Sequence, residues 1–511
     1  MKILVVILLS CLAYSIQAQE GFNKIYHIGA GGYIFGNVLN SNDTLYVIGN
    51  GFSLENPTVT SLFFHKIDTF GNVLSSNVYS DLDSTGYKYS FCSRPNALIK
   101  LSDNSGFFFV GNVLENNNSL FFKIDNDGEI IFKKEVELAN SSLVQLKSII
   151  EIEDGFLMIG NYQAGIAAIK MDESGNIIWE SYFTSGSDRL LLFGSVYQKN
   201  DNEYIISGAT TSPGNVQTQF IKNTGRIFAI DSLGNKKWEW ESEQTLDQLG
   251  VGTLHLTDNG DWIFNTAKAT YNSTFNDIDK EPSIVIRDTA TFEILDERIV
   301  YTPYPGTFSF FSNLISLNDG DYLAIGTMNG QLPIEPNYVP NALMGVMYKI
   351  NSDLDSIWSR RDTAAWSFIG GSRNYPLNAV ELESGSIVVC GYHQDPETLL
   401  QSGWLYKVDK NGCMDTLNCV LPVSIEEVPL PESQISVYPN PTSQKLQVKL
   451  LNQDTKLFDV EIYNFAGQKL KAIKAYHSLE WIDVQDLNTG TYGLRLIDKK
   501  KIYTTKFVKT E

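Results

Sequence analysis

The sequence predicts an all-β protein in which a seven-bladed β-propeller is followed by a small β-sandwich. Three observations predict it. A unit of four short strands rich in Val, Ile, Phe and Tyr, separated by Asp, Asn and Gly turns, recurs seven times. Hydrophobic residues make up 43% of the 511 positions, enough for a buried core, and helical periodicity is almost absent. Near the C-terminus the repeat gives way to alternating apolar and polar segments, which are typical of a small sandwich.

The N-terminus has the pattern of a signal peptide covering residues 1–18. Lys2 precedes an apolar stretch from Ile3 to Leu12, and Ala18 supplies the small residue expected before a cleavage site. An N-terminal anchor is the alternative. No other segment approaches the length of a membrane span, so we expect an exported mature chain without a transmembrane segment.

The repeats predict a propeller over residues 19–421. The clearest copy is SIIEIEDGFLMIGN (148–161) followed by IAAIKMDESGNIIWE (166–180). One turn position recurs at intervals of 47 to 63 residues, which suits four strands per blade. It is occupied by Asp68, Asp125, Asp172, Asp231, Asp288, Asn351 and Asp409.

The seventh unit lacks a fourth strand because the chain turns polar after Cys413. The segment NKIYHIG (23–29) is a strand without another partner. We therefore expect it to complete the last blade and to close the ring, which would remove a free sheet edge. An open solenoid is the structural alternative.

The recurring residues have structural explanations. Asp and Gly at the repeated position form a tight turn, and the equivalent Trp179, Trp238 and Trp358 are expected to pack between neighbouring blades. The clustered oxygens of DNDGE (125–129) leave calcium as an alternative, although the twelve-residue EF-hand loop is absent.

Cysteine usage fits an exported protein. Cys413 and Cys419 lie close together in GCMDTLNC and are predicted to form a disulfide, whereas Cys390 lies in an apolar run and is expected in the core. There is no CxxC motif, no His spacing typical of metal ligands and no GxSxG motif. We therefore expect no metal site and no cofactor, and we assign no catalytic residue.

The C-terminal part resembles a known export signal. A Pro- and Glu-rich linker (422–434) precedes a segment, residues 435–511, with a series of recognisable motifs. They are Tyr438, Pro439, Asn440 and Pro441 in VYPNPT, then Gly467 after VEIYN, then Gly490 and Tyr492, and finally Lys506, Phe507 and Lys509. In this order they resemble the type A C-terminal sorting domain of the type IX secretion system of Bacteroidetes. The resemblance implies an Ig-like sandwich, passage through the outer membrane by the type IX secretion machinery, and a secreted or surface-attached location. An ordinary β-sandwich binding module is the alternative.

Charge divides the chain at the same place. Residues 435–511 carry 12 basic and 8 acidic side chains, whereas residues 19–434 carry 26 basic and 51 acidic side chains. An acidic body of this kind disfavours nucleic acid, which requires a basic face. Cations or neutral sugars are easier partners for a body this acidic.

Function is expected on one rim of the ring. The turns between the first and second strands and between the third and fourth strands, such as EDG and DESG, are short and share one rim. The opposite rim is predicted to carry long connections at 210–225, 269–282 and 328–345. Aromatic and arginine side chains near that rim form the candidate ligand-binding set: Arg94, Arg189, Tyr301, Tyr304, Trp366, Arg373 and Tyr375. We interpret the protein as a surface or secreted binding protein for an extracellular glycan or protein. A polysaccharide-degrading enzyme with acids in the central funnel and a structural surface-layer component are the alternatives.

Overall fold

The computed structural model describes most of the two predicted parts of the chain. The described residues are 21–27, 32–52, 60–79, 87–88, 97–113, 118–136, 144–162, 165–184, 190–211, 224–243, 250–272, 277–300, 309–334, 337–364, 373–414, 435–450, 457–464, 469–477, 480–498 and 501–510. The chain separates into two compact units, residues 1–424 and 425–511. The described residues contain no helix long and apolar enough to cross a membrane.

The first unit consists of antiparallel sheets that follow one another along the chain. Strand β1 (Phe22–Tyr26) precedes blade 1, which contains β2 (Tyr33–Ser41), β3 (Thr44–Phe52), β4 (Thr60–Asp68) and β5 (Val73–Tyr79). Blade 2 contains β6 (Tyr87–Lys88), β7 (Leu98–Lys100), β8 (Phe107–Val113), β9 (Ser119–Ile124) and β10 (Ile130–Val136), where β6 and β7 both pair with β8. Blade 3 contains β11 (Val144–Ile152), β12 (Gly155–Tyr162), β13 (Gly165–Met171) and β14 (Ile177–Thr184).

The remaining blades repeat this order. Blade 4 contains β15 (Leu190–Asn200), β16 (Glu203–Thr211), β17 (Thr224–Ile230) and β18 (Lys236–Glu241). Blade 5 contains β19 (Leu254–Leu256), β20 (Trp262–Asn272), β21 (Asp277–Arg287) and β22 (Ile294–Ile299). Blade 6 contains β23 (Phe310–Ser316), β24 (Tyr322–Ile334), β25 (Asn337–Ile350) and β26 (Ser356–Asp362). Blade 7 contains β27 (Arg373–Glu381), β28 (Ile387–Gln394) and β29 (Gln401–Val408).

Strand β1 is the outer strand of blade 7. It pairs antiparallel with β29, from Phe22 opposite Lys407 to Tyr26 opposite Gly403. The predicted closure is therefore confirmed, and the first unit is a closed seven-bladed propeller rather than an open solenoid. Trp404 on β29 donates its Nε1–H to Asn23 Oδ1 at 2.6 Å, which adds a side-chain bond across the same seam.

The turn that contains the recurring Asp has the predicted structural role. Asp231 Oδ1 accepts the backbone N–H groups of Leu233 and Asn235 at 2.9 and 2.8 Å. Asp125, at the position considered for calcium, uses Oδ1 in the same way, accepting from Asp127 N and Glu129 N at 2.9 and 2.8 Å. The repeated acid therefore satisfies the backbone of its own turn.

These turns also link successive blades. Trp179 of blade 3 donates to Ser232 O of blade 4 at 3.0 Å, and Trp358 of blade 6 donates to Lys410 O of blade 7 at 3.2 Å. The predicted packing of these tryptophans between blades is confirmed. Between blades 1 and 2 a tyrosine makes the equivalent hydrogen bond, since Tyr79 Oη donates to Gly128 O at 2.6 Å. Strand β1 makes the same type of contact between blades 7 and 1, since Tyr26 Oη donates to Gly71 O at 2.8 Å.

A polar belt runs along the first strands of the blades. It consists of Asn37, Ser148, Ser195, Thr253, Asn313 and Asn378, all buried, while blade 2 carries Ala97 at this position. Thr253 Oγ1 donates to Asn313 Oδ1 at 2.6 Å, Asn313 Nδ2 to Asn378 Oδ1 at 2.9 Å, and Asn378 Nδ2 to Asn37 Oδ1 at 2.6 Å. The belt thus connects blade 5 to blade 1 across the closing seam.

Two predicted loops are strands instead. Residues 269–282 and 328–345 were expected as long connections, but they lie mostly within the hairpins β20–β21 and β24–β25, whose pairing continues to Asn272 opposite Asp277 and Ile334 opposite Asn337. Their Asn, Asp and Pro residues led to the loop assignment. The expectation was wrong because backbone pairing extends these hairpins beyond the blades' ordinary strand length.

The second unit is a β-sandwich. One sheet contains β30 (Ile435–Tyr438), β31 (Lys445–Leu450) and β34 (Ile482–Asp483); the other contains β32 (Leu457–Tyr463), β33 (Lys469–His477), β35 (Gly490–Asp498) and β36 (Lys501–Lys509). Both sheets contribute to one core, which includes Leu446, Val448, Phe458, Tyr476 and Leu496. The pattern of alternating apolar residues therefore places one face of each sheet inward, as predicted.

Candidate ligand-binding site on the closing blade

Two of the candidate rim residues are described by the structure, and they lie together on one strand. Arg373 and Tyr375 occupy the start of β27, two residues apart, so their side chains lie on the same face of blade 7. The other candidates, Arg94, Arg189, Tyr301, Tyr304 and Trp366, lie outside the described residues.

Strand β28 supplies two partners that the sequence did not reveal. In the register of the two strands, Arg373 lies opposite Gln394 and Tyr375 lies opposite Tyr392. The rings of Tyr375 and Tyr392 are stacked, with centroids 4.7 Å apart and planes inclined by 21°. We call these four residues, Arg373, Tyr375, Tyr392 and Gln394, the closing-blade patch.

The patch combines a neutral aromatic surface with a positive charge. Arg373 is exposed, and both tyrosines remain partly exposed. Burial raises the pKa of Tyr375, with Arg373 opposing the shift, and burial likewise raises the pKa of Tyr392. Both phenols therefore keep their protons at neutral pH and present uncharged rings with O–H groups. The Arg373 guanidinium contacts Gln394 Oε1 at 3.5 Å, which leaves most of its five donors available.

The opposite face of the same strands holds the patch in place. Asn374 accepts from Ala364 N at 2.9 Å through Oδ1 and donates from Nδ2 to Leu343 O at 2.9 Å, both in blade 6. His393 Nδ1 lies 3.1 Å from Asn374 Oδ1. Burial lowers the pKa of His393, so this histidine is neutral at pH 7 and carries its proton on Nδ1 to satisfy the amide oxygen.

A close approach of the backbone fixes the two strands of the patch. A Cβ added to Gly391 would collide with the carbonyl oxygen of Tyr375, and the register shifts between Pro376 and Asn378. Pro376 has no N–H to lose at this irregular position, and Ser312 Oγ donates to its carbonyl oxygen at 2.7 Å. The ends of β27 and β28 are therefore held by backbone geometry rather than by the exposed side chains.

The tyrosine pair is not demanded by the propeller repeat. Tyr392 directly follows Gly391 on the second strand of its blade. In blades 1, 3, 4 and 6, the register pair that contains the residue after the equivalent glycine is not a pair of aromatic residues. Those positions hold Ile34 and Asn50 in blade 1, Gln145 and Asn161 in blade 3, Leu192 and Ala209 in blade 4, and Phe310 and Thr327 in blade 6. Blade 7 thus departs from the repeat at the point where two rings and a guanidinium come together.

The polar belt on the first strands of the blades consists of buried amide and hydroxyl side chains. The sequence contains a signal for this belt, because Asn, Ser or Thr recurs at the start of the apolar first strand of six units. Within the described part of the chain, no group of three or more His, Cys, Asp or Glu residues is arranged to hold a metal ion.

The predicted sorting residues occupy two ends of the sandwich that meet in space. Asn440 Oδ1 accepts Val508 N at 2.9 Å, and Asn440 Nδ2 donates to Lys506 O at 3.4 Å. The entry turn, which also contains Tyr438, Pro439 and Pro441, is thereby fixed to the terminal strand around Phe507.

Other sorting residues belong to the core and the edge of this unit. The rings of Tyr492 and Phe507 stack at 5.5 Å, and both are buried. Gly490 lies opposite Lys509 at the start of β35. Gly467 lies outside the described residues.

The two described cysteines differ in their bonding state. Cys390 is a free thiol in the core, and burial raises its pKa, so it is an inert core residue. Cys413 is disulfide-bonded. Its predicted partner Cys419 lies outside the described residues, so the pairing stays a prediction.

Comparison with known proteins identifies the C-terminal unit. Residues 436–510 match the family described as "Secretion system C-terminal sorting domain". The chain is therefore a protein sorted by the type IX secretion system, with a cell-surface or extracellular location, as the resemblance implied. No curated protein sequence matches the chain.

Solved structures resemble the first unit only distantly. The β-propeller domain of the Trilobed protease from Pyrococcus furiosus is 10% identical, with 78% of this chain and 100% of that chain covered and a TM-score of 0.38. A protein of unknown function from Bacteroides caccae is 14% identical (61% and 95% covered, TM-score 0.35), and a polysaccharide lyase, PL25-Ulvanlyase, is 8% identical (76% and 96% covered, TM-score 0.45). These likenesses carry no argument about what the chain binds.

Proposed function

We propose that the protein is a binding protein of the cell surface or the extracellular space, and that its propeller holds a glycan or protein ligand at the closing-blade patch. The observation that carries the proposal is the stacked pair Tyr375 and Tyr392 beside the exposed guanidinium of Arg373. Flat phenol rings stack on sugar C–H faces or on apolar peptide side chains, and a guanidinium binds a carboxylate through two hydrogen bonds.

Rigidity supports this proposal. The patch lies on strand ends held from behind by Asn374 and by the backbone contact at Gly391. A site on regular strands loses little conformational entropy when a ligand binds, and its groups stay oriented. The patch therefore has the properties of a preformed recognition surface.

The test uses the full chain and two matched variants. Immobilised extracellular polysaccharides and surface proteins are incubated with the protein, and both retention and released products are scored. We expect Tyr392→Ala to weaken retention about tenfold or more, as loss of an aromatic anchor does. Arg373→Gln should weaken the retention of only those ligands that bear carboxylates. Leu295→Ala, at an exposed position on blade 5, is the control. Retention that is equal in all variants would remove the patch as the site.

The same assay separates the enzymatic alternative. A polysaccharide hydrolase or lyase requires carboxylates at the mouth of the central funnel, whereas the recurrent belt position of the first strands carries amides and hydroxyls. Released oligosaccharide would establish catalysis and move the mutagenesis to carboxylates that line the central funnel. Retention without product supports the binding function.

A further inference from the structure

The C-terminal unit exposes a face that its own fold does not require. In the three-stranded sheet, Leu446, Val448 and Ile482 point into the core. Because side chains alternate along a strand, their neighbours point outward. The outward residues are Tyr438 on β30, Lys445, Gln447 and Lys449 on β31, and Trp481 directly before β34. We call this set the three-stranded face.

Two aromatic rings lie on one row of this face. Tyr438 is opposite Gln447, and the pairing of Leu446 with Ile482 places Trp481 on the other side of Gln447. The two rings are thus two strand spacings apart, roughly 9.6 Å. Tyr438 is 70% exposed and Trp481 is 53% exposed, so neither ring contributes its full area to the core.

The charges of the two sheets differ. On the four-stranded sheet Lys474 pairs with Asp459 at 2.6 Å and Lys469 pairs with Glu461 at 2.9 Å. On the three-stranded face, the ammonium groups of Lys445 and Lys449 are exposed, and no ion pair joins either of them to a described residue.

One carboxylate must be counted against these lysines. Asp483 lies opposite Lys445 in the register, and its Oδ1 accepts Gln485 N at 3.0 Å. Among the described residues, the one paired with Lys449 is the uncharged Ser436, so Lys449 keeps its positive charge on this face.

We propose that the three-stranded face binds an anionic polysaccharide. Sugar C–H faces stack on Tyr438 and Trp481, and carboxylate or sulfate groups meet Lys445 and Lys449. A flat sheet with two separated rings suits an extended chain that crosses the strands. A stable protein interface would instead bury a contiguous apolar centre, which is absent here because Lys and Gln side chains lie between the rings. This site is separate from the closing-blade patch and goes beyond the function proposed for it.

The test is affinity electrophoresis of the full chain in native gels containing polygalacturonate, dextran sulfate or neutral dextran. We expect both anionic polymers to retard the protein more than dextran does. Trp481→Ala and Tyr438→Ala should each raise the polymer concentration needed for retardation about tenfold. The double variant Lys445→Gln/Lys449→Gln should lose the preference for anionic polymers. Unchanged thermal unfolding of each variant shows that the sandwich is intact.

Matched controls use the other sheet and the other unit. Leu470→Ala and Lys474→Gln, both exposed on the four-stranded sheet, and Leu295→Ala, exposed in the propeller, should retard like the parent chain. Equal loss with Lys474→Gln would show unspecific charge attraction and would overturn the assignment. Retardation that survives Trp481→Ala, or no retardation by any of the three polymers, would overturn it as well and leave the face to a protein partner.

Discussion

Replacing Asn378 with alanine tests whether the polar belt holds the ring closed. Asn378 Nδ2 donates to Asn37 Oδ1 at 2.6 Å, and its Oδ1 accepts from Asn313 Nδ2 at 2.9 Å and from Ala379 N at 2.7 Å. The backbone donor fixes which end of the amide is oxygen, so the direction of the whole chain of bonds is set. Asn378 is therefore the link through which blade 6 is connected to blade 1.

The magnitude follows from the groups that the substitution leaves behind. Asn37, Asn313 and Ala379 are all buried, and each would lose one hydrogen bond at this point, although Asn37 keeps a further interaction. A buried hydrogen bond is worth about 1 kcal/mol net, so Asn378→Ala, which removes three, should lower the free energy of unfolding by about 3 kcal/mol. Asn318→Ala, an exposed asparagine in the turn of blade 6, should change it by less than about 0.5 kcal/mol.

Urea unfolding followed by tryptophan fluorescence measures both variants. A double-mutant cycle of Asn37→Ala and Asn378→Ala then isolates the contact across the seam, for which we expect a coupling energy of about 1 kcal/mol. If Asn378→Ala is no more destabilising than Asn318→Ala, or if the cycle is additive, the belt does not stabilise the closed ring and the reasoning fails.

Three further predictions concern closure, pH and export. Tyr26→Phe and Tyr79→Phe should each lower the free energy of unfolding by about 1 kcal/mol, because both remove one hydrogen bond to a turn carbonyl; an effect in only one of them would show that the two seams differ. Burial lowers the pKa of His65 to about 4, so the unfolded chain binds the proton first. The free energy of unfolding should have its full value above pH 6.5 and fall by up to about 3 kcal/mol towards pH 4. In urea titrations at each pH, His65→Gln should reduce this dependence of the free energy of unfolding on pH. Deleting residues 435–511 should leave the protein in the periplasm, as cell fractionation and immunoblotting would show, and normal surface display would argue against the sorting assignment.

Much of the fold could be predicted because each blade carries its own complete signal. The Asp turn, the inter-blade tryptophan and the missing seventh outer strand each depend on a few neighbouring residues, so the sequence is sufficient for them. The hairpin β20–β21 was missed because Asn and Asp near its tip favour a turn, whereas its strand pairing is decided by contacts across the hairpin.

The candidate site was only half predictable for a related reason. Arg373 and Tyr375 lie in a polar connection and therefore stood out. Tyr392 follows the apolar run SIVVCG, where a tyrosine is equally compatible with core packing. Only the strand register shows that it stacks on Tyr375. Trp481 was missed because a single aromatic residue in an alternating segment does not indicate which face it occupies.

Departures from the repeat separate structural from functional residues. Phe292 adopts a positive φ of 59° at a turn position where most blades have glycine, and this departure has a packing reason, because its ring stacks on Trp240 at 5.2 Å and 7°. The pair Tyr375 and Tyr392 departs equally, but its two rings stack on each other at a partly exposed strand end. Blade 6 has only one ring at these two positions, Phe310. A residue that breaks the repeat without filling a gap in the core contributes little to closing the ring. Its presence on a rigid strand end is therefore better explained by contact with a ligand.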